Sequence, residues 1–287
     1  MDLMNKFTII LPVFNDWESL EILLQEIELV VKKSNYSCSI IIINDNSSEN
    51  NIYNLNKNNF FKNITILNLK KNVGSQKAIA TALKYIGQNN SNFSDKYIIM
   101  DSDGEDDPNK ILDIIDLIES KKNINLITMS RTIRKESVLF SIFYEFHLFL
   151  TFLITFNYIR FGNFSFISLE AIKKITQKEE LWLAYSATIS KYLKNKEKIL
   201  APRKNRIKGK SKMSYLDLIK HSFNIQKVYL KNIFFAYSLY LFFAFFISKS
   251  LMLALIMIFL LHFFILNKFT SGNKNLSLKN CLNNIES

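Results

Sequence analysis

The sequence predicts an α/β protein in which a mostly parallel sheet is flanked by helices and followed by a membrane anchor. Five short apolar runs, each suited to a buried strand, alternate with segments of helical periodicity. Polar turns follow the first, second and fourth runs, and residues 233–266 are almost wholly apolar. Alternating strands and helices favour parallel pairing, which brings the carboxyl ends of the strands to one edge of the sheet.

The elements follow one another along the first half of the chain. The predicted strands cover residues 7–11, 39–43, 65–69, 96–100 and 126–129, and the predicted helices cover residues 17–31, 76–86 and 108–119. Open α/β sheets bind ligands outside the carboxyl ends of their strands. We therefore expect the functional site where the turns after these strands gather.

The turn after the fourth predicted strand concentrates carboxylates. Its acidic residues are Asp101, Asp103, Glu105, Asp106 and Asp107. Carboxylates this close repel one another unless a cation or solvent lies between them, and Mg²⁺ is typically held by one or two carboxylates plus substrate phosphates. The pattern predicts a metal-assisted nucleotide site. The alternative is an acidic turn that caps the helix opening at Pro108.

Composition limits the partners. The chain has 287 residues and a formal net charge of +12, which indicates an anionic partner such as a sugar nucleotide or acidic lipid. It has no helix-turn-helix, zinc-finger or aromatic RNA-binding signature, so nucleic acid is disfavoured. The two cysteines, Cys38 and Cys281, are far apart, which fits a reducing compartment.

The apolar C-terminal region is typical of a membrane anchor. Residues 233–247 and 251–266 are each slightly short for a span, so two tilted helices in a hairpin are favoured over one bent span. Basic residues lie on both sides of the pair: Lys227, Lys231, Lys268 and Lys274. By the positive-inside tendency, both ends then lie in the cytoplasm.

Two further segments carry alternatives. Residues 138–158 are aromatic and apolar but contain Glu145 and His147, so we favour helices at the membrane interface over a buried core helix. Residues 203–212 hold six cations around Gly209. Such a loop binds phosphate, meets anionic lipid, or is simply a solvated face.

Five motifs follow one another in the first 110 residues: Pro12-Val13-Phe14-Asn15, Asn44-Asp45-Asn46-Ser47, Asn72-Val73-Gly74, Asp101-Ser102-Asp103 and Glu105-Asp106-Asp107-Pro108. They resemble motifs of the family-2 glycosyltransferases with the GT-A (Rossmann-like) fold. The first resembles the opening Pro-x-Tyr-Asn, and the second resembles the Asp-Asp-Gly-Ser turn. Asn72-Val73-Gly74 and Asp101-Ser102-Asp103 resemble the Asn-x-Gly and metal-binding Asp-x-Asp motifs, and Glu105-Asp106-Asp107-Pro108 resembles Gln-Asp-Pro-Pro. Asn46 can adopt the left-handed backbone that Gly would supply.

The second half resembles a narrower group, the membrane-associated synthases that attach sugars to dolichyl or undecaprenyl phosphate. Phe161-Gly162-Asn163-Phe164 resembles their Gly-Asp/Asn-Phe segment, and the stretch from Arg206 to Lys212 resembles their Arg-x-x-Gly-x-Ser-Lys loop.

The resemblance implies roles for individual residues. The implied nucleotide-binding residues are Pro12, Phe14, Asn15, Asp45, Asn72, Gly74, Lys77, Asp101 and Ser102. The implied phosphate- and acceptor-binding residues are Arg131, Gly162, Asn163, Arg206, Gly209, Lys210, Ser211 and Lys212. Asp101 and Asp103 are the implied ligands of Mg²⁺ or Mn²⁺, and the implied catalytic residues are Asp103, Asp106 and Arg206.

We therefore expect an inverting glycosyltransferase that moves a sugar from a UDP- or GDP-sugar to a membrane-bound acceptor, with polyprenyl phosphate favoured. The alternatives are a sugar hydroxyl of a lipid-linked glycan as the acceptor, for which Asp106 would be the base, and an inactive membrane scaffold. The expected organisation is a catalytic domain over residues 1–230, with interface helices at 137–159, a hairpin at 231–267 and a polar cytoplasmic tail at 268–287. Hairpin anchors often associate, so homo-oligomers are compatible with this hypothesis.

Overall fold

The structure, a computed structural model, describes residues 6–48, 60–61, 63–89, 94–121, 123–131, 138–209, 214–270 and 276–286, without the side chains of residues 131, 138–144, 147 and 215. The chain forms two compact units. The sheet unit comprises Met1–Arg134, Arg160–Lys210 and Leu276–Ser287, and the helical unit comprises Lys135–Ile159 and Ser211–Asn275.

The sheet unit contains a seven-stranded sheet in the order β3-β2-β1-β4-β6-β5-β7. The strands are β1 Lys6–Val13, β2 Ser37–Asn44, β3 Ile64–Asn68, β4 Lys96–Ile99, β5 Leu126–Arg131, β6 Phe161–Ser168 and β7 Lys196–Ala201. All neighbours pair in parallel except β6, which runs antiparallel to both β4 and β5. The predicted mostly parallel sheet is confirmed.

Helices of the sheet unit cover both faces of this sheet. The helices of the described chain are, in order, α1 Trp17–Val31, α2 Ser75–Gln88, α3 Lys110–Ser120, α4 Val138–Thr155, α5 Leu169–Ile175, α6 Tyr185–Tyr192, α7 Tyr215–Val228, α8 Leu230–Ile247 and α9 Lys249–Thr270, with 3-10 helices at Glu179–Trp182 and Cys281–Asn284. Of these, α4 and α7 to α9 belong to the helical unit. Ile9 and Leu11 of β1 pack in one core with α1 and α3. Ile10 packs in the opposite core with α2, α5 and α6, as the two-residue period of a strand requires.

Two strands were not predicted from the sequence. β6 carries Gly162, Asn163 and Ser165, and its polar residues mask the apolar pattern of a strand. β7 reads Lys-Glu-Lys-Ile-Leu-Ala and lies at the outer edge of the sheet, where charged side chains can reach water. Because β6 is antiparallel, its first residues lie at the same edge as the carboxyl ends of the other strands.

The C-terminal residues return to the sheet unit. Ile285 forms an antiparallel bridge with Leu69, one residue beyond β3. The sequence places these residues in a polar tail, whereas in the structure Leu278 and Cys281 are buried against the core that includes α2.

The helical unit contains an antiparallel pair formed by α8 and α9. Ile233, near the start of α8, clusters with Leu266, near the end of α9. Tyr237, one turn further along α8, lies 4.9 Å from Phe259 between ring centroids. Both helices are long and apolar enough to cross a membrane, and only 22% and 6% of their apolar windows are buried. The low burial distinguishes them from the core helix of a soluble protein.

α4 also exposes large apolar side chains. Phe146 and Phe149 are 57% and 54% exposed, and Leu150 and Phe152 are exposed as well. The face that they form is therefore not buried in the helical unit. The polar residue Glu145 accepts a hydrogen bond from Tyr158 Oη at 2.9 Å.

Candidate active site

The site lies where β1, β2 and β4 end, and the acidic turn after β4 is folded on itself. The backbone N–H of Asp101 donates to Asp106 Oδ2 at 3.0 Å, and the N–H of Glu105 donates to Asp103 Oδ1 at 3.0 Å. Gly104 has φ +80°, and a Cβ there would lie 2.3 Å from Ile207 Cδ1. A glycine is therefore needed at this position both for the turn and for the close approach of the basic loop.

The basic loop of residues 203–209 is bound to this turn by backbone hydrogen bonds. The N–H of Lys204 donates to the carbonyl of Glu105 at 2.8 Å, and the N–H of Ile207 donates to the carbonyl of Asp103 at 3.0 Å. Arg203 also forms an ion pair with Glu105. The interactions place the loop directly beside the aspartates, so its location is not that of a merely solvated surface.

Arg206 bridges two carboxylates at the centre of the site. Its Nη1 lies 3.0 Å from Asp103 Oδ2, and its Nη2 lies 2.6 Å from Asp16 Oδ2. All three side chains are mostly buried, with exposures of 14% to 15%. Sequence reasoning named Arg206 and Asp103 but missed Asp16, although Asp16 follows directly on the predicted nucleotide-binding Asn15.

Burial and repulsion disturb the ionisation of Asp103. Its pKa is raised to about 6, chiefly by loss of solvent and also by the neighbouring charge of Asp101, while Arg206 and Arg203 act in the opposite direction. The charged form of Asp103 is therefore costly in spite of the two arginines. A cation bound between Asp101 and Asp103 would relieve this cost.

Asp101 is held by a relay of amides. Asn163 Nδ2 donates to Asp101 Oδ1 at 2.8 Å, and Gln76 Nε2 donates to Asn163 Oδ1 at 2.6 Å. Gln76 Oε1 in turn accepts from the backbone N–H of Tyr185 at 2.9 Å. The predicted acceptor-side residue Asn163 thus contacts the predicted metal ligand. Gln76 was missed because only the fold brings the start of α2 to β6.

Asp45, at the end of β2, is enclosed by the turn before α2. Its two carboxylate oxygens accept from the N–H groups of Val73 and Gly74, each at 2.8 Å, and Asn72 Nδ2 donates to its carbonyl at 3.0 Å. Asp45 is 2% exposed, and burial raises its pKa to about 6, against the effect of these N–H groups and of Lys77. Burial also lowers the pKa of Lys77, and the charge of Asp45 acts against this shift.

The turns after β1 and β2 are joined to each other. The N–H of Asn15 donates to Ser47 Oγ at 2.9 Å, and Asn15 Oδ1 accepts from the N–H of Ser48 at 2.8 Å. Asn46 has φ 58°, the left-handed conformation expected of it. Asn44, which replaces an acid of the family motif, binds Asn68 Oδ1 through its Nδ2 at 2.9 Å.

Some of the remaining predicted residues lie in the described part of the chain, and the others lie outside it. Pro12 lies in β1, Phe14 is 38% exposed and Ser102 is buried. Gly209 has φ +73° and open space around it. Gly162 lines a small pocket together with Asp106, Asp107, Met129, Phe164, Ala201, Pro202 and Arg203. Lys210, Ser211, Lys212 and the side chain of Arg131 lie outside the described part of the chain.

The described residues contain no group of three or more His, Cys, Asp or Glu side chains that could hold a metal ion. Asp101 and Asp103 nevertheless fit Mg²⁺ or Mn²⁺, because such an ion takes one or two carboxylates and completes its coordination with substrate phosphates and water. The raised pKa of Asp103 beside Asp101 is the observation that supports the fit.

A mixed sheet with helices on both faces, with its acidic and basic loops meeting at the ends of the strands, has the architecture of the GT-A fold. The chain belongs to glycosyl transferase family 2, whose model matches residues 8–170. No curated protein matches the chain.

Solved structures share this fold at low identity. Staphylococcus aureus TarS 1–349, in complex with UDP-GlcNAc, is 16% identical with a TM-score of 0.50, and the match covers 78% of this chain and 66% of that chain. The chain thus spans just under two-thirds of that TarS structure. Mycobacterium tuberculosis glucosyl-3-phosphoglycerate synthase, in complex with Mn²⁺ and UDP-glucose, is 12% identical with a TM-score of 0.53, covering 80% and 79%. Mannosyl-3-phosphoglycerate synthase from Rubrobacter xylanophilus is 12% identical with a TM-score of 0.53, covering 80% and 74%.

Proposed function

We propose that this chain is an inverting glycosyltransferase that moves a sugar from a UDP- or GDP-sugar to a membrane-held acceptor, with polyprenyl phosphate as the favoured acceptor. The observation that carries the proposal is the arrangement around Asp103. A buried carboxylate beside Asp101 and in contact with Arg206 offers both a cation site and a fixed positive charge, the two features that a diphosphate needs.

The donor nucleotide would lie along the ends of β1, β2 and β4. Asp45 offers a buried carboxylate for the nucleoside, and Lys77 lies close enough to influence the pKa of Asp45. TarS and glucosyl-3-phosphoglycerate synthase, which share the fold, have been solved with UDP-sugars. A nucleotide-sugar donor is the common chemistry, and the choice between UDP and GDP is left to the experiment below.

Asp101 and Asp103 would hold Mg²⁺ or Mn²⁺, which when bound neutralises charge on the diphosphate. In the described structure Arg206 provides positive charge at Asp103. Negative charge grows on the nucleoside diphosphate as it leaves, and a guanidinium held at this place stabilises that charge. The family resemblance assigns further phosphate contacts to Lys210, Ser211 and Lys212.

The contacts of Asp106 fit a phosphate acceptor, because such an acceptor does not need this carboxylate as a general base. Oδ2 of Asp106 accepts the N–H of Asp101, and the side chain is 7% exposed, so this carboxylate helps to hold the acidic turn. An acceptor phosphate is already a nucleophile: its oxygen attacks the anomeric carbon while the bond to the nucleoside diphosphate breaks, with inversion. A sugar hydroxyl would need a base, and Asp106 is the candidate for that alternative.

The hairpin anchor is supported by where the chain leaves and re-enters the sheet unit. α8 and α9 are antiparallel, and the residues from Leu276 onward belong to the sheet unit again. If both helices cross the bilayer, the two ends of the pair lie on the same side as the sheet unit, which we place in the cytoplasm. We assign the exposed aromatic face of α4 to the membrane interface.

Thiol labelling in sealed membrane vesicles tests the hairpin. Cysteines are introduced singly at Lys32 directly after α1, at Lys249 at the start of α9 and at Lys279 in the C-terminal segment. The native Cys38 and Cys281 are buried and serve as a silent background. A membrane-impermeant reagent should label the first and third positions from the same side and the second from the other. Labelling of Lys32→Cys and Lys279→Cys from opposite sides would contradict the hairpin.

The activity itself is tested by incubating membranes that contain the protein with a panel of radiolabelled UDP- and GDP-sugars and identifying the labelled lipid. The proposal expects one donor to label a polyprenyl phosphate, with loss of labelling in Asp103→Asn. Label on a lipid-linked glycan instead would favour a hydroxyl acceptor. The absence of both labelled lipid and affinity for UDP or GDP would favour an inactive scaffold.

A further inference from the structure

The C-terminal segment Leu276–Glu286 lies against the loop that encloses Asp45. The N–H of Lys70 donates to the carbonyl of Asn284 at 2.7 Å, and the N–H of Glu286 donates to the carbonyl of Asn68 at 2.8 Å. Together with the bridge between Leu69 and Ile285, these bonds extend the sheet beyond the edge strand β3. The segment is therefore paired with the chain that leads directly from β3 to the loop of residues 70–74, which encloses Asp45 and is called the nucleotide loop here.

Buried side chains fix this segment in place. Leu278 and Cys281 are 2% and 0% exposed in the core that includes α2, and Asn284 is 4% exposed. Asn284 Nδ2 donates to the carbonyl of Lys71 at 3.1 Å. The buried amide of Asn284 thus binds the backbone of the nucleotide loop from outside. Without this amide, the carbonyl of Lys71 would lose its hydrogen-bond donor.

The same loop holds Asp45 from its inner side. Lys71 is followed by Asn72, Val73 and Gly74, which give Asp45 one side-chain and two backbone hydrogen bonds. Only one residue separates the carbonyl bound by Asn284 from the N–H groups bound by the carboxylate. A shift of the loop would therefore move both donors that orient the Asp45 carboxylate.

We propose that Leu276–Glu286 is a functional part of the donor site and that Asn284 is a positioning residue for nucleotide binding, acting through the Lys70–Gly74 loop. This inference rests on the proposed role of Asp45 in binding the nucleoside. It gives the polypeptide beyond the apolar helices a task in the sheet unit: to fix the outer wall of the nucleotide loop before the donor arrives. The loss of this contact should weaken donor binding and leave turnover at saturation nearly intact.

The test compares two neighbouring asparagines in the full-length protein, with UDP and GDP as the probes in calorimetry and with the labelled sugar nucleotide in kinetics. Asn284→Ala should raise the Kd for the nucleotide and the donor KM about fivefold, as expected for one buried hydrogen bond, with kcat within about twofold. Asn283→Ala is the matched control, because Asn283 is exposed and its backbone groups survive the substitution: the carbonyl accepts from Lys70 Nζ at 3.0 Å, and the N–H donates to the carbonyl of Asn280.

A milder variant guards against loss of the fold. Lys70→Met removes the exposed contact to the Asn283 carbonyl and should raise the same Kd about twofold, since an exposed hydrogen bond contributes little. Equal nucleotide affinities in Asn284→Ala, Lys70→Met and Asn283→Ala would overturn the proposal. So would a drop in kcat at unchanged KM, because that result would place the effect on the chemical step.

Asp45→Asn separates this inference from the proposed function. If it weakens nucleotide binding and Asn284→Ala does not, only the role of the C-terminal segment is wrong. If Asp45→Asn leaves the affinity for both nucleotides unchanged, the nucleoside role of Asp45 is wrong and this inference is overturned with it.

Discussion

The two halves of the site are held by different kinds of interaction. On the β2 side, Asp45 is bound by neutral N–H groups of Val73 and Gly74. On the β4 side, Asp103 accepts one backbone N–H, that of Glu105, through Oδ1, while its Oδ2 forms an ion pair with Arg206, which also binds Asp16. Backbone N–H groups cannot leave without moving the chain, whereas an arginine side chain can change partners. The β2 side is thus preorganised, and the β4 side is set up to exchange one charge for another when a cation and a diphosphate bind.

The largest loss of activity should come from a substitution on the β4 side, because a neutral side chain cannot replace a carboxylate charge there. Asp103→Asn preserves the shape of the side chain but removes the negative charge that would hold the cation. A metal contributes several kcal/mol to transition-state stabilisation, so nucleoside diphosphate release should fall by about a thousandfold.

Asp113→Asn provides the control for this loss. Asp113 is a partly exposed residue of α3 whose partner is Lys110, and its replacement should leave the rate unchanged. Metal-dependent turnover that survives in Asp103→Asn would contradict the assigned metal ligand and would remove the contrast between the two halves.

A substitution of Arg206 is the second test, because it separates the contribution of the guanidinium charge from that of the bound cation. Arg206→Ala should lower kcat by about tenfold to a hundredfold, since a charge-assisted hydrogen bond contributes about 1.5–3 kcal/mol. The variant should also bind Mn²⁺ more tightly without nucleotide, because no guanidinium then competes for Asp103. Arg206→Lys should restore activity only partly, since an ammonium lacks the planar fork that bridges Asp16 and Asp103.

Lys204→Ala is the matched change in the same loop. The Lys204 side chain pairs with Glu26 of α1, and its backbone N–H to Glu105 survives the substitution. Weaker Mn²⁺ binding in Arg206→Ala than in Lys204→Ala would show that the arginine supports the cation site and does not compete with it.

On the β2 side, Asp45 should make the free energy of unfolding depend on pH. The pKa of Asp45 is raised from its ordinary value to about 6, so between pH 4 and 6 the folded state binds more protons than the unfolded state. The nucleotide-free protein should therefore lose stability as pH rises through this window, by about 2 kcal/mol, since most but not all of a shift of about two pKa units is titrated there.

Asp45→Asn removes this titration, so the decrease in the free energy of unfolding from pH 4 to pH 6.5 should be smaller by that amount than in the wild type. Chemical denaturation of both proteins in the same detergent measures the difference. Parallel pH profiles for the two proteins would mean that Asp45 titrates normally and that the β2 side is less enclosed than its contacts indicate.

The sequence predicted what is local and left out what depends on the fold. Apolar runs identified β1 to β5, and the Asp-x-Asp turn was placed at the end of β4 because its carboxylates follow directly on the fourth apolar run. β6 was missed because Asn163 and Ser165 are polar residues buried through partners elsewhere in the chain: Asn163 binds Asp101, and Ser165 Oγ lies 2.8 Å from Tyr185 Oη. The return of residues 276–286 was missed because a short segment after two long apolar helices carries no periodicity that indicates its partner.

Gln76 shows the same limit and supplies the smallest of the effects predicted for the two halves of the site. Its amide links Asn163 to the N–H of Tyr185, so it acts on Asp101 through Asn163. Gln76→Ala should free Asn163 to turn and loosen Asp101, which lowers metal affinity by about fivefold to tenfold, the cost of one or two buried hydrogen bonds. Gln25→Ala, on the exposed side of α1, should have no effect. Manganese titrations of the two variants at saturating UDP make the comparison. An unchanged midpoint in Gln76→Ala would mean that Asp101 is positioned by the acidic turn alone, so that the β4 side is held entirely by charge and by its own loop.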